Sequence, residues 1–203
     1  YFLPYFWGGL MIGRLMASIS LSKALSNSKK LLYMPLMSLA VFFFIYFVTS
    51  IKIDDFGKIE MHYLPFDEIA VYLLFLLINY LAFIFGKGNA ARSLVIFSTI
   101  NLILLTIGIF SSGDLAFWAI IGTGLFFSIG WSNIFSLAIK DLGKLTSQGS
   151  SLLVMAIVGG AILPYIQSQI IESKDVQTSF IIPLIGVLYL IFYGLEGYKI
   201  KKA

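Results

Sequence analysis

Seven stretches of apolar residues, about 1–20, 31–50, 68–86, 92–111, 115–139, 149–171 and 178–197, constrain this chain more than any other feature. Each is near the roughly 20 residues that an α-helix needs to span a bilayer. Hydrophobic residues make up 59% of the sequence and charged residues only 12%. A soluble domain carries roughly 25% charge, so a water-facing surface could not be built from this composition. Connections at 87–91 and 112–114 leave no room for a soluble domain between helices. The longest connection, IKIDDFGKIEMHYLPFD at 51–67, is polar and acidic. No linker, low-complexity region or clear internal repeat appears. The expected fold class is all-α, a polytopic helical membrane protein of seven spans, with residues 1–203 forming a single transmembrane domain.

Charge orients the spans. Arg14, Lys23, Lys29, Lys30, Lys87, Arg92, Lys140, Lys144, Lys199, Lys201 and Lys202 fall on one side, with only Asp141 and Glu196 as acids. The other side holds Lys52, Lys58 and Lys174 against Asp54, Asp55, Glu60, Asp67, Glu68, Asp114, Glu172 and Asp175. Basic residues concentrated on short loops mark the cytoplasmic face. The first span is therefore expected to begin outside, and the C-terminus to end in the cytoplasm. Arg14, Lys140 and Lys144 are inner-face topology residues on this reading. The same asymmetry accounts for the net charge of +4 without a nucleic-acid partner. The sequence opens Tyr-Phe-Leu-Pro, already inside an apolar run, and Arg14 follows that run rather than preceding it. This is not the layout of a signal peptide, and the chain is expected to lack an N-terminal part.

Chemistry is limited by what lies at depth. No Asp, Glu, Lys or His occupies the central two thirds of any span. A proton-coupled carrier needs a titratable group there, so any such group is expected outside this sequence. With no cysteine and a single histidine, His62, neither thiolate chemistry nor a His-rich metal site is available. Gly143-Lys144 lacks the upstream glycine of a phosphate-binding loop and is followed by Leu145. HExxH, GxSxG and intramembrane carboxylate pairs are absent, so no enzyme is expected.

What remains at depth is neutral and polar: Trp131, Asn133, Asn101, Gln167 and Asn79. Carboxamides donate and accept, and an indole offers an apolar face with one donor. That chemistry suits a neutral, hydroxyl-rich ligand such as a sugar, with interhelical hydrogen bonding as the competing use. Trp131, Asn133, Asn101 and Gln167 are the candidate binding residues. Trp131 and Asn133 form the leading pair beside Gly130, although their spacing need not place them on one helix face. Gly9 and Gly13 belong to a Gly-x-x-x-Gly-x-x-x-Ala stripe suited to close helix packing. Gly159, Gly160 and Pro164 weaken the sixth span near its middle, where a kink or hinge is expected. Spans two and three are bulky and poor in polar residues, and are expected to face lipid.

Three segments, FWGGLMIGR at 6–14, IFSLAIKDLGK at 134–144 and QGSSLLVMAIVGGAILPYIQ at 148–167, resemble the C-terminal half of the fucose:proton symporter family. This family of the major facilitator superfamily includes the glucose/galactose permeases. The resemblance covers the first span and the chain from about 92 onward. It implies that the first span corresponds to helix eight of twelve, and the last four to helices nine to twelve. Residues 21–91 would then be an inserted helix pair with its flanking loops.

The resemblance further implies proton-coupled sugar symport by alternating access between two bundles in the bacterial inner membrane. The partners implied are lipid, a small neutral sugar and a missing N-terminal bundle, with the proton as coupling ion and no other cofactor. The family's acidic coupling residues lie in that N-terminal bundle. Trp131 occupies the position of an aromatic that lines the family's sugar path in helix ten. The family usually follows this aromatic with proline, whereas Ser132 and Asn133 stand here. That departure bears on which sugar is accepted and on how the helix bends. A drug or lipid exporter on the same scaffold, or a non-transporting sensor or assembly protein, are the alternatives.

Overall fold

The computed structural model describes residues 2–22, 24–53 and 58–199. Lys23, Asp54, Asp55, Lys201 and Lys202, which contribute to the charge asymmetry, lie outside the described residues. In chain order the elements are α1 Leu3–Leu21, α2 Asn27–Ser50, β1 Ile51–Ile53, β2 Ile59–Met61, α3 Phe66–Gly86 and α4 Ala90–Phe110. They continue with α5 Gly113–Phe127, α6 Gly130–Ala138, α7 Thr146–Met155, α8 Gly159–Ser173, α9 Val176–Ser179 and α10 Ile181–Phe192. Six helical stretches combine the length and apolarity needed to cross a membrane: Asn27–Ser50, Glu68–Gly86, Ala90–Phe110, Gly113–Ala138, Gly143–Ser173 and Val176–Gly197. α1, with 19 residues, is about 28 Å long at 1.5 Å per residue and adds a seventh of comparable reach.

Helix ends follow local chemistry rather than hydropathy. α2 starts at Asn27, ahead of its apolar run, because Ser26 is extended and a polar first turn of Asn27-Ser28-Lys29-Lys30 continues the helix beyond the apolar part. α3 starts directly after Pro65, whose ψ of 157° sets the entry to the helix. Between them, the alternating Ile51-Lys52-Ile53 and Ile59-Glu60-Met61 pair antiparallel, with Ile51 opposite Met61 and Ile53 opposite Ile59. This two-stranded ribbon, within the loop at 51–67, is the one departure from all-α structure among the described residues. An isolated hairpin is marginal in water. Here it is tied to the end of α2 by the His62 N–H, which donates to the Ser50 carbonyl at 2.7 Å.

The core lies where α1, α2, α3, α4 and α5 meet. Gly9 and Gly13 face α5. A methyl added at Gly9 would press on Leu125 and the Tyr72 hydroxyl, and one at Gly13 would overlap the Ser128 side chain. From α5, Gly124 accommodates the Phe6 carbonyl in the same way. Ile12 and Met16 are fully buried between these contacts, with Leu125 and Phe126 opposite. α3 does more than face lipid: Tyr72, Leu76, Asn79, Ala82 and Phe83 form a buried face, while Leu74, Leu77, Leu81 and Phe85 are exposed on the other. Its Tyr72 hydroxyl donates to the Tyr5 carbonyl on α1 at 2.8 Å, and its Tyr80 hydroxyl to Leu31 on α2 at 3.0 Å. Bulk and apolarity read alike for lipid and for core contact, which is why the sequence alone placed this helix outside.

Two spans are interrupted. The α5–α6 span breaks between Phe127 and Gly130, where Ser128 and Ser132 hydroxyls donate to carbonyls three residues back, at 2.6 and 3.1 Å. Such back-bonding bends helices. The α7–α8 span tightens into a 3₁₀ turn at Ala156–Val158, immediately before Gly159-Gly160, while Pro164 lies inside α8. None of the residues in α7, this turn or α8 is buried. α9 is capped by Asp175, whose carboxylate accepts from the Thr178 N–H at 2.7 Å and hydroxyl at 2.6 Å. Those bonds hold its carboxyl below the usual aspartate range.

Candidate functional site

Trp131 and Asn133 share the short helix α6 but not a face, as two residues of α-helix turn about 200°. Trp131 is 46% exposed and leans on Phe135, with ring centroids 6.3 Å apart. Asn133 is 8% exposed and turned inward. It lines a cavity of about 250 Å³ with Ser20, Ser93, Ser132 and Ser136. Its Nδ2 is buried without a hydrogen-bond partner. The walls come from the end of α1, the α3–α4 connection, the start of α4 and the Asn133 side of α6, all at the end of the bundle that carries Lys87 and Lys140.

A second cavity of about 540 Å³ adjoins it, sharing Ser20, Leu21, Phe83 and Gly88, and adds Asn27, Lys30 and Lys87. The lining of the smaller cavity is uncharged, with serine hydroxyls and one carboxamide set among apolar residues such as Leu21, Phe83 and Ile129. Lysines enter only in the larger one.

Asn101 and Gln167 stand apart from this site. Asn101 is 2% exposed within α4, its Oδ1 buried and unpartnered. Gln167, half-buried on α8, donates from Nε2 to the Ser179 hydroxyl at 3.1 Å and so links α8 to α9. The structure thus brings Asn133 into a concave polar site, leaves Trp131 on an open face, and keeps Asn101 and Gln167 at other places in the bundle. Gly159 and Gly160 face open space, where an added methyl would meet nothing within 4 Å. Arg14, Lys140 and Lys144 are exposed, and the Lys140 ammonium lies 5.9 Å from the centre of the Tyr198 ring.

Sequence reasoning missed a feature at the opposite end. Glu68 and Asp114 line a cavity of about 400 Å³ with Phe2, Val71, Phe117 and Trp118. Glu68 also borders a neighbouring cavity of about 250 Å³ containing Tyr5, Thr49, His62 and Tyr63. Glu68 Oε2 is buried and has no hydrogen-bond partner. Both acids sit in the first turn of their helices, where loop charge and site charge look identical in a sequence. Among the described residues, no group of His, Cys, Asp and Glu is arranged to hold a metal ion.

Fold and composition together define a polytopic helical membrane protein. Its homologues are named as bacterial sugar transporters. The chain is 43% identical over 114 residues to a glucose/galactose transporter of Brucella abortus, covering 56% of this chain and 26% of that protein. It is 28% identical over 204 residues to a putative glucose/galactose transporter of Helicobacter pylori, covering 98% of this chain and 34% of that protein. It is 35% identical over 100 residues to an L-fucose-proton symporter of Haemophilus influenzae, covering 46% of this chain and 23% of that protein. The chain therefore spans about a third or less of the length of these curated relatives. Because the Helicobacter match takes in nearly the whole chain, it includes α2, the hairpin and α3. No family model matches the chain, and no solved structure matches it.

Proposed function

We propose that this chain forms the C-terminal part of a longer bacterial transporter that moves a neutral sugar of the hexose or fucose type together with a proton. The observation that carries this reading is the similarity to named sugar transporters, which in one case runs over 98% of the chain. The chemistry supports it. At depth the chain offers carboxamides, hydroxyls and an indole but no ionisable group, which fits an uncharged polyhydroxy solute. Trp131 supplies an aromatic face for the apolar side of a sugar ring, while Asn133, on the other side of α6, and Asn101 and Gln167, elsewhere in the bundle, supply polar groups. The proton, as coupling ion, is taken up and released by an acid in a part of the protein outside this chain.

Alternating access then rocks this bundle against a partner bundle of the same protein, and the unburied face of α7–α8 is where that partner fits. Gly9 and Gly13 let α1 and α5 pack closely, while Gly159, Gly160 and Pro164 give α8 its compliance. Residues 21–91 are an inserted pair that reinforces the bundle. The end carrying Arg14, Lys140 and Lys144 faces the cytoplasm, in the inner membrane.

The test is transport by the protein encoded with its upstream sequence, in vesicles under an imposed proton gradient. Labelled glucose, galactose or fucose should accumulate about tenfold over vesicles lacking the protein. A protonophore should collapse that accumulation. Failure of all three sugars to accumulate would reject the sugar assignment. Accumulation that survives the protonophore would reject proton coupling.

A further inference from the structure

The break between α5 and α6 is fastened by a side chain from elsewhere in the sequence. In an unbroken α-helix the Leu125 carbonyl would accept the N–H of Ile129. Here regular helix lapses between Phe127 and Gly130. The Leu125 carbonyl accepts the Asn79 Nδ2 at 3.1 Å and the Ser128 hydroxyl at 2.6 Å. A carbonyl oxygen has two lone pairs, so these two side-chain donors occupy both. Asn79 is fully buried and Ser128 is 4% exposed, so water does not compete. On the far side α1 closes in, with no room for a methyl between Gly13 and Ser128. Asn79 Oδ1 is buried and has no partner. The carboxamide therefore acts in one direction only, as a donor to the carbonyl at the break.

We infer that Asn79 is a positioning residue that holds the α5–α6 span broken, and through the break sets where α6 presents Trp131 and Asn133. Asn79 and the Ile129 N–H are rivals for one acceptor. With the carboxamide in place the span stays broken. Without it, the Leu125 carbonyl is free to take the main-chain donor, the span straightens and α6 swings. The unpaired Oδ1 leaves the fastened state imperfectly satisfied, and a two-state element of this kind is what conformational change requires. α3, outwardly one more apolar span, thereby controls the segment on which the proposed transport depends. The consequence for uptake rests on the sugar-transport reading, whereas the fastening of the break does not.

Because this chain contains no cysteine, a single reporter can be placed in the whole protein once any cysteine outside it is replaced. Ser136→Cys on α6 is labelled with a water-soluble maleimide, with Lys174→Cys in the α8–α9 connection as control. Asn79→Leu, present in membranes at the parent level, should change the labelling rate at position 136 about threefold and leave position 174 unchanged. Asn79→Ser, a shorter donor, should give a smaller change and serves if Asn79→Leu does not accumulate. Unchanged labelling at 136, equal changes at both positions, or failure of both variants to accumulate would overturn the inference. If the parent carries no sugar yet labelling still responds to Asn79→Leu, the transport reading falls and the fastening stands. If uptake is normal and labelling does not respond, the reverse holds.

Discussion

Two membrane-length stretches of this chain, α1 and α7–α8, both carry the small residues that favour helix association, yet they are used in opposite ways. In α1, Gly8, Gly9 and Gly13 are buried, and added methyls would strike Ile45, Leu125 and Ser128. In α7–α8 no residue is buried, and added methyls at Gly159 and Gly160 would touch nothing. The same residue type is thus a fitted contact in one helix and an unfilled one in the other. Glycine at a packed position is fixed by geometry within this chain. Glycine on the bare helix answers to backbone compliance or to a neighbour that this chain does not contain.

The largest effect should come from filling the fitted contact. Gly13→Leu forces a side chain into Ser128 and the α5 backbone, an overpacking cost of about 1–3 kcal/mol or more in a site that cannot relax. Monodisperse protein recovered in mild detergent should fall sharply. The matched change Gly160→Leu, which meets nothing within this chain, should lower recovery much less. Equal losses in the two variants would erase the distinction between the helices.

A smaller effect separates two glutamines. Gln177 on α9 donates to the Gly108 and Ser111 carbonyls at 3.0 and 2.8 Å, satisfying groups left free where α4 ends. Gln167 on the bare helix makes a single bond to Ser179. Gln177→Ala should destabilise the detergent-solubilised protein by about 1 kcal/mol, read as a lowered Tm, and Gln167→Ala by less. The opposite order would mean that the bare helix is better anchored than its exposure indicates.

Span number and approximate position were legible because bilayer thickness and helix rise set the length of an apolar run, and Asn27–Ser50 or Ala90–Phe110 needed nothing more. A close-packing face on α1 was legible in the four-residue spacing of Gly9 and Gly13, but not that α5 fills it. Three features were not. The hairpin at 51–67 depends on three-residue strands too short to stand out from a polar loop. The inward role of α3 was hidden because Leu and Phe serve core and lipid equally. The break at Ser128–Ile129 carries no proline. It arises from serine back-bonding and from Asn79, 46 residues away from Leu125 in sequence, and such pairing has no local signature.

The site was half legible. Neutral polar residues at depth pointed to Asn133, and Asn133 does line a cavity. Helical phase, however, separates it from Trp131, and the Ser20, Ser93 and Ser136 hydroxyls that surround it come from three different helices. Spacing along one strand of sequence cannot reveal a convergence of that kind.

The central claim is that the open face of α6, bearing Trp131, is a wall of the sugar path. Its most direct measurement is uptake of labelled hexose by vesicles holding the whole protein with Trp131→Ala, at matched amounts in the membrane. The account predicts a loss of about tenfold in kcat/KM, as an aromatic platform for the ring is removed. Uptake indistinguishable from the parent would contradict it.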